Sequence, residues 1–385
     1  MMRTKTWFFG LALVGGVTGC GPDDSSKASD GGSSGTGGAA AQGGSSGTGG
    51  DSARGGSSGT GGGSNGTKPS GVTLFSMGYT SLQGIDTGSH EVVLDTTVTT
   101  TDVSASAMDT SPSKVWLARE NGTVTVVDRA SEKKLADVDV TGFASTPEES
   151  VLLPVVAAAA DAGYTVLESY ETISVLRIDG ESFAVKAAPD VLDAVGHTTG
   201  MRVDGQNLWV LTGNAFELVK LDPKTLERRA AVSLGAPPDD AKAFGDYYGY
   251  GELAISPNAV FVLDDYTSRL IRVNKDSLEP NVADDLSDLE LDTSLEFISR
   301  GGDVYLGLDE PGTVVRFDGT TGARIRSYEL NAVGGSSLID VYGSLLYLTP
   351  ADASNHEALE FDADTGKTLQ TITSQNQIFY PVIVR

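Results

Sequence analysis

The sequence has one cysteine, Cys20, so no disulfide can form within the chain and the fold must stand on its apolar core. Histidine is nearly as scarce. His90, His197 and His356 are the three, and no His-rich motif surrounds any of them. Basic residues are outnumbered, 27 Lys and Arg against 52 Asp and Glu, for a net charge of −25 at pH 7. A surface of that sign repels nucleic acid and anionic lipid head groups at ordinary salt, and it favours cations or basic partners while keeping the protein soluble. There is no C-x-x-C-H haem attachment site, no P-loop and no G-x-S-x-G nucleophile elbow. The longest apolar stretch near the start, Trp7 to Val17, is too short for a stable spanning helix.

Glycine, by contrast, is abundant at 48 residues and crowds into one region. The octet GGSSGTGG occurs at 31–38, 43–50 and 55–62. A segment with so little apolar surface to bury is expected to stay disordered, with a mean reach of roughly 35–40 Å as a flexible chain. Residues 1–67 carry Arg3, Lys5, Lys27 and Arg54 against Asp23, Asp24, Asp30 and Asp51, so the whole excess of −25 falls after them. Ahead of the tether, a short basic start and the apolar stretch read as a signal peptide. It ends Gly16-Val17-Thr18-Gly19-Cys20. That ending resembles the lipobox of bacterial lipoproteins, which implies lipidation of Cys20. The division expected is 1–19 signal peptide, 20–71 lipidated cysteine and tether, and 72–385 a folded domain. A multi-chain lipid anchor holds a protein stably at a membrane. The tether is similar in style to those of Gram-negative lipoproteins, which implies an outer-membrane anchor with the domain in the periplasm or at the cell surface.

The domain is organised around Asn207 to Arg229, NLWVLTGNAFELVKLDPKTLERR, which reads as two strands and two turns. An apolar residue followed by Asp or Asn, with Ser or Thr shortly after, recurs at Asp86, Asp128, Asp179, Asp222, Asn274, Asp318 and Asp362. The gaps are 42, 51, 43, 52, 44 and 44 residues, a period that fits the blade of a β-propeller. These seven side chains are read as turn-formers accepting backbone N–H groups, not as metal ligands. Aromatic-centred strands recur in phase, at Phe75, Trp116, Trp209, Phe261, Tyr305 and Tyr347, with blade three departing slightly at Tyr164. The run Val151 to Ala160 is read as strand because Pro154 and its β-branched flanks oppose a helix. The first repeat has only three strands, and the chain ends in the unpartnered run Ile378 to Val384. Supplying the missing innermost strand from that run would close the ring and leave no open edge.

The fold class expected is therefore all-β, a seven-bladed propeller closed by the C-terminal strand. The segments LWVLTGNAFELVKLDPKT, VFVLDDYTSRLIRVNKDS and VWLARENGTVTVVDRAS resemble extracytoplasmic propellers of the YVTN type and their streptogramin-lyase-like and quinoprotein-like relatives. The resemblance spans 72–385 and speaks to fold, since propellers host binding, scaffolding and catalysis alike.

Function is expected at the face formed by the loops between blades and the middle hairpins. Those loops carry Glu168, Tyr170, Glu171, His197, Asp264, Asp309, Glu310, Asp352 and His356. The longest insertion, 236–251, adds Asp246, Tyr247, Tyr248 and Tyr250, with Asp265 and Tyr266 on the next hairpin. Tyrosines among carboxylates suit a protein, glycan or small-molecule ligand, and converging carboxylates could hold Ca²⁺. The reading is a monomeric ligand-binding or interaction module. The alternative is a lyase- or lactonase-like enzyme. A streptogramin-lyase-like site would take its base from His197 or His356, and a lactonase-like one would draw on Glu252, Glu296 and Asp340. A quinone-dependent dehydrogenase would need a stacking tryptophan repeat, whereas the domain has only Trp116 and Trp209, both in core-like strands.

Overall fold

The computed structural model describes residues 72–77, 80–98, 105–144, 153–168, 173–189, 191–192, 198–212, 216–235, 252–264, 267–289, 291, 295–308, 313–329, 337–349, 357–373 and 382–384. The segments read from the sequence as signal peptide and tether, with Cys20, lie outside these residues.

Alternating apolar strands and short Asx-capped turns build seven antiparallel four-stranded sheets, each made of four sequential strands except the first. The inner strands are Ala105–Thr110, Val156–Ala158, Thr198–Val203, Leu253–Ile255, Leu295–Arg300 and Ser337–Tyr342, in blades two to seven. Blade one takes its inner strand from the other end of the chain: Val382–Val384 pairs with Thr73–Met77, in the register Leu74 with Val384, Phe75 with Ile383 and Ser76 with Val382. Each inner strand touches the inner strand of the next blade, and the C-terminal strand touches those of blades seven and two. The circuit is complete. The chain is a seven-bladed β-propeller closed by its last strand, as its repeat requires, and Val156–Ala158 is strand, not helix.

The core lies between blades. In every blade the aromatic residue of the second strand faces the residue two positions before the turn Asp or Asn: Phe75 with Gly84, Trp209 with Lys220, Phe261 with Arg272, Tyr305 with Arg316. Tyr164 faces Arg177 in the same column, so blade three keeps the phase that its sequence seemed to break. All seven aromatics are buried. In two blades the opposed residue is a basic side chain whose charge lies over the ring. Lys220 Nζ sits 5.1 Å from the Trp209 centroid and the Arg316 guanidinium 5.8 Å from that of Tyr305.

The seven turn residues do the work their type suggests. Asp222 Oδ1 accepts the N–H groups of Lys224 and Thr225 at 2.8 and 2.8 Å, and Asn274 Oδ1 those of Asp276 and Ser277 at 2.8 and 3.0 Å. Asp86, Asp179, Asp318 and Asp362 repeat the pair, and Asp128 accepts from Ser131. Four residues on, every turn places a left-handed backbone: His90, Glu132, Phe183, Leu226, Leu278, Gly322 and Gly366 all have φ between 57 and 80°. Five of these carry a side chain in a conformation that costs an L-residue roughly 1–2 kcal/mol, so the Asx cap and the ladder on either side must over-determine the turn.

Those caps give the fold an acid sensitivity of known sign. Backbone donation from Ser182 to Asp179, and from Thr225 to Asp222, lowers each carboxyl to about 2. Asp128, Asp318 and Asp362 are lowered for the same kind of reason, donation from Ser131, Thr321 and Thr365. A folded-state value below the unfolded one of roughly 3.9 adds stability that is present above that pH and lost as pH falls through the folded value. We expect Asp179→Asn with Asp222→Asn to flatten the pH dependence of unfolding between about pH 4 and 2, because Asn keeps the turn, as Asn274 does naturally, without titrating. An unaltered slope in denaturant titrations across that range would show that other carboxylates govern acid unfolding.

Candidate functional site

The seven inner strands surround the propeller axis, which brings charges on different blades within electrostatic reach of one another. Asp109, Arg202, Arg300 and Asp340 lie on the inner strands of blades two, four, six and seven, and Glu252 immediately precedes that of blade five. Asp109 feels both Arg202 and Arg300, from two blades on either side of the axis. Burial nevertheless dominates and raises its carboxyl above the ordinary range. Glu252 is raised as well, because enclosure by protein outweighs the attraction of Arg202.

These groups have structural partners, and the partners follow a rule. Each blade is joined to the next by a side chain that reaches across. Arg119 Nη2 of blade two donates to Val98 O of blade one at 2.7 Å. Asp109 accepts the N–H of Ala158 in blade three at 2.8 Å, and Glu168 accepts that of Thr198 in blade four. Lys275 of blade five reaches Asp204 of blade four at 3.0 Å. Glu252 accepts the N–H of Phe297 in blade six at 3.2 Å, and Ile255 N–H donates to Ser299 Oγ at 3.1 Å. Arg300 donates to Val341 O at 2.9 Å and pairs with Asp340 at 3.2 Å across the six–seven joint. At the seven–one joint, Gln370 Nε2 donates to Thr87 O at 2.6 Å while its Oε1 lies 3.0 Å from His90 Nε2. An inner strand has a ladder partner on one side only. Its free N–H groups would be costly to bury unpaired, and the neighbouring blade supplies the acceptor.

This arrangement separates the sequence-predicted carboxylates. Glu252 and Asp340 serve different joints, five–six and six–seven, and Glu296 is on the inner strand of blade six, with its side chain outside the described residues. Glu168 and Asp264 end the second strands of blades three and five, both buried. Asp264 accepts from Thr267 N–H at 3.0 Å and pairs with Arg269 at 2.8 Å, closing its own hairpin. His90 closes the turn that Asp86 begins, donating its N–H to Asp86 O at 2.9 Å. His197, His356, Asp246, Tyr247, Tyr248, Tyr250, Asp265 and Tyr266 lie outside the described residues. Among the described residues, no three His, Cys, Asp or Glu side chains come together as a metal site. Sequence reasoning missed Asp109, Arg202 and Arg300. The available signal was the position opposite the aromatic of the next strand, which Asp109 and Arg202 share with Asp340; Arg300 lies two residues beyond it.

No family profile matches the sequence, and no curated protein does. Solved structures do. Virginiamycin B lyase from Staphylococcus aureus superposes with a TM-score of 0.54 at 12% identity, over 73% of this chain and 87% of that one. A catalytically inactive form of that enzyme with quinupristin gives 0.52 at 11%, over 72% and 86%. The dihydro-heme d1 dehydrogenase NirN gives 0.53 at 13%, over 78% and 63%. At these identities the likeness is one of fold alone.

Proposed function

We propose that this propeller is a ligand-binding or protein-interaction module, tethered by residues 20–71 to a lipid on Cys20 and displayed outside the cytoplasm of a Gram-negative cell. One observation carries the choice of binding over catalysis: Asp109, Glu168, Glu252 and Asp340 are each engaged by a backbone N–H or an arginine at a different joint. Carboxylates committed in this way hold the ring rigid, and a rigid ring is a good platform for recognition loops. The insertion 236–251, which enters blade five just before Glu252, is the proposed recognition loop, with Tyr247, Tyr248 and Tyr250 as its aromatic contacts.

Two variants test this reading. Cys20→Ser is expected to move the protein from the membrane to the soluble fraction, and unchanged partitioning on fractionation would refute the anchor. Replacing Tyr247, Tyr248 and Tyr250 with Ala is expected to leave the melting temperature nearly intact and to abolish capture of whatever glycan or peptide binds the parent on an array. Loss of the fold would make those rings part of the core, and retained capture would place the recognition surface elsewhere.

A second reading, an enzyme of the lyase kind, has one observation in its favour. Burial raises the carboxyl of Glu252, at the foot of the insertion, which is the direction in which a general acid is shifted. The two readings separate on Glu252→Gln, which keeps an acceptor for Phe297 N–H. A raised folded-state value costs stability as pH rises past the unfolded value, so a purely structural Glu252 predicts a variant more stable at neutral pH, by an advantage that fades toward about pH 4. A catalytic Glu252 predicts, in addition, loss of turnover.

A further inference from the structure

We propose that the cleft between blades four and five is a binding site for a small anion, a phosphate ester or a dicarboxylate. The cleft encloses about 630 Å³. Its floor and rim include the cations Lys220, Arg229 and Lys275 and the carboxylates Asp204 and Asp276, with Asn207 and Asn258 beside them. Three cationic side chains share one cavity in a chain whose net charge is −25.

Two of the cations have counter-ions. Lys275 Nζ lies 3.0 Å from Asp204 Oδ2, and Arg229 pairs with Asp222. Lys220 has none among the described residues. Its ammonium rests over the Trp209 ring at 5.1 Å and donates once, to Lys275 O at 3.1 Å. An ammonium has three donors, so the geometry leaves two unspent on the cleft side. Asp204 cannot supply the missing charge. It already accepts Trp209 Nε1–H at 3.0 Å and the N–H groups of Gln206 and Asn207 at 3.1 and 2.8 Å, besides its ion pair with Lys275. Among the described residues, Lys220 is thus the cation of the three without a carboxylate partner, and an anion in the cavity would give its ammonium one.

Trp209 explains the placement. It is fully buried, its indole N–H fixes Asp204, its face carries Lys220, and Asp204 in turn fixes Lys275. Two of the three cations are thus set by one rigid ring, which gives preorganisation of the kind that oxyanion recognition requires. Arg229 closes the rim, anchored through Nη1 to Gln206 O and Asn207 Oδ1 at 2.8 and 2.8 Å. Leu278, Pro257 and Ala230 add apolar wall for the carbon skeleton of the ligand.

The test is titration of the full-length protein with inorganic phosphate and, separately, with succinate at neutral pH, against chloride at matched ionic strength. Calorimetry and the melting temperature are the readouts. Saturable binding of either probe at millimolar concentration is expected, weakened about tenfold or more by Lys220→Gln and restored toward the parent by Lys220→Arg. Preference for phosphate assigns the phosphate-ester class, and preference for succinate the dicarboxylate. If Lys220→Gln does not fold, Arg229→Gln at the solvent-facing rim decides alone, with a several-fold loss expected. Responses to phosphate and succinate no larger than to chloride, or affinities unchanged in the folded variants, would overturn the site.

Discussion

Deleting Ile378 to Arg385 is expected to unfold the propeller at temperatures where the intact protein is stable. Without Val382–Val384 the strand Thr73–Met77 becomes an open edge, and its ladder rows at Leu74, Phe75 and Ser76 lose their partners. Leu74 and Phe75, 0% and 1% exposed, would lose the strand that helps to bury them. At about 1.5–3 kcal/mol for each large apolar side chain returned to water, these two alone cost roughly 3–6 kcal/mol. The whole margin of a folded domain is about 5–15 kcal/mol. The loss is compounded because the same strand bridges the inner strands of blades seven and two, so its removal opens the ring. Differential scanning calorimetry decides the matter. A truncated protein melting at the parent's temperature would show that closure does not depend on this strand.

The second large effect is expected at Gly163, in the second strand of blade three. A Cβ built there would lie 2.3 Å from the Trp116 ring of blade two and within 2.7 Å of two more of its atoms. Trp116 is 1% exposed and has no room to retreat. Gly163→Ala should therefore force the blades apart or the indole off its rotamer, at about 1–3 kcal/mol or more. The diagnostic result is compensation. Trp116→Phe trims the ring that collides, and its indole N–H has no partner among the described residues, so the exchange forfeits no hydrogen bond seen there. Gly163→Ala with Trp116→Phe is expected to melt above Gly163→Ala alone, a coupling of opposite sign to the two single losses. Additive losses would mean that the two residues do not meet.

Much of this fold was legible in the sequence because its determinants are local. An Asp followed within three residues by donors to its carboxylate makes the same turn wherever it occurs, so Asp86, Asp128, Asp179, Asp222, Asn274, Asp318 and Asp362 marked seven blades without reference to anything distant. The closing strand was legible for a related reason: one repeat lacked a strand and one terminal run lacked a partner. The left-handed position in each turn was not. Glycine marks it only at Gly322 and Gly366, while His90, Glu132, Phe183, Leu226 and Leu278 give no sign of it. Tyr164 looked out of step because its neighbours differ from those of the other aromatics; only the strand register showed it to be in phase.

The candidate sites divide along the same line. Loop length and tyrosine content at 236–251 belong to the sequence, and they point to a face of the ring. The assignment of each charged side chain to a blade joint belongs to tertiary structure. Asp109 and Ala158 are 49 residues apart, Arg300 and Asp340 are 40, and no pattern of spacing distinguishes these charges from solvent-facing ones. The cleft of Lys220, Arg229 and Lys275 is likewise a product of two blades laid side by side. The sequence determined what each blade would be, because turns and alternation act over a few residues. What the blades share was decided only when the ring closed, because burial, pairing and charge at a joint depend on which face meets which.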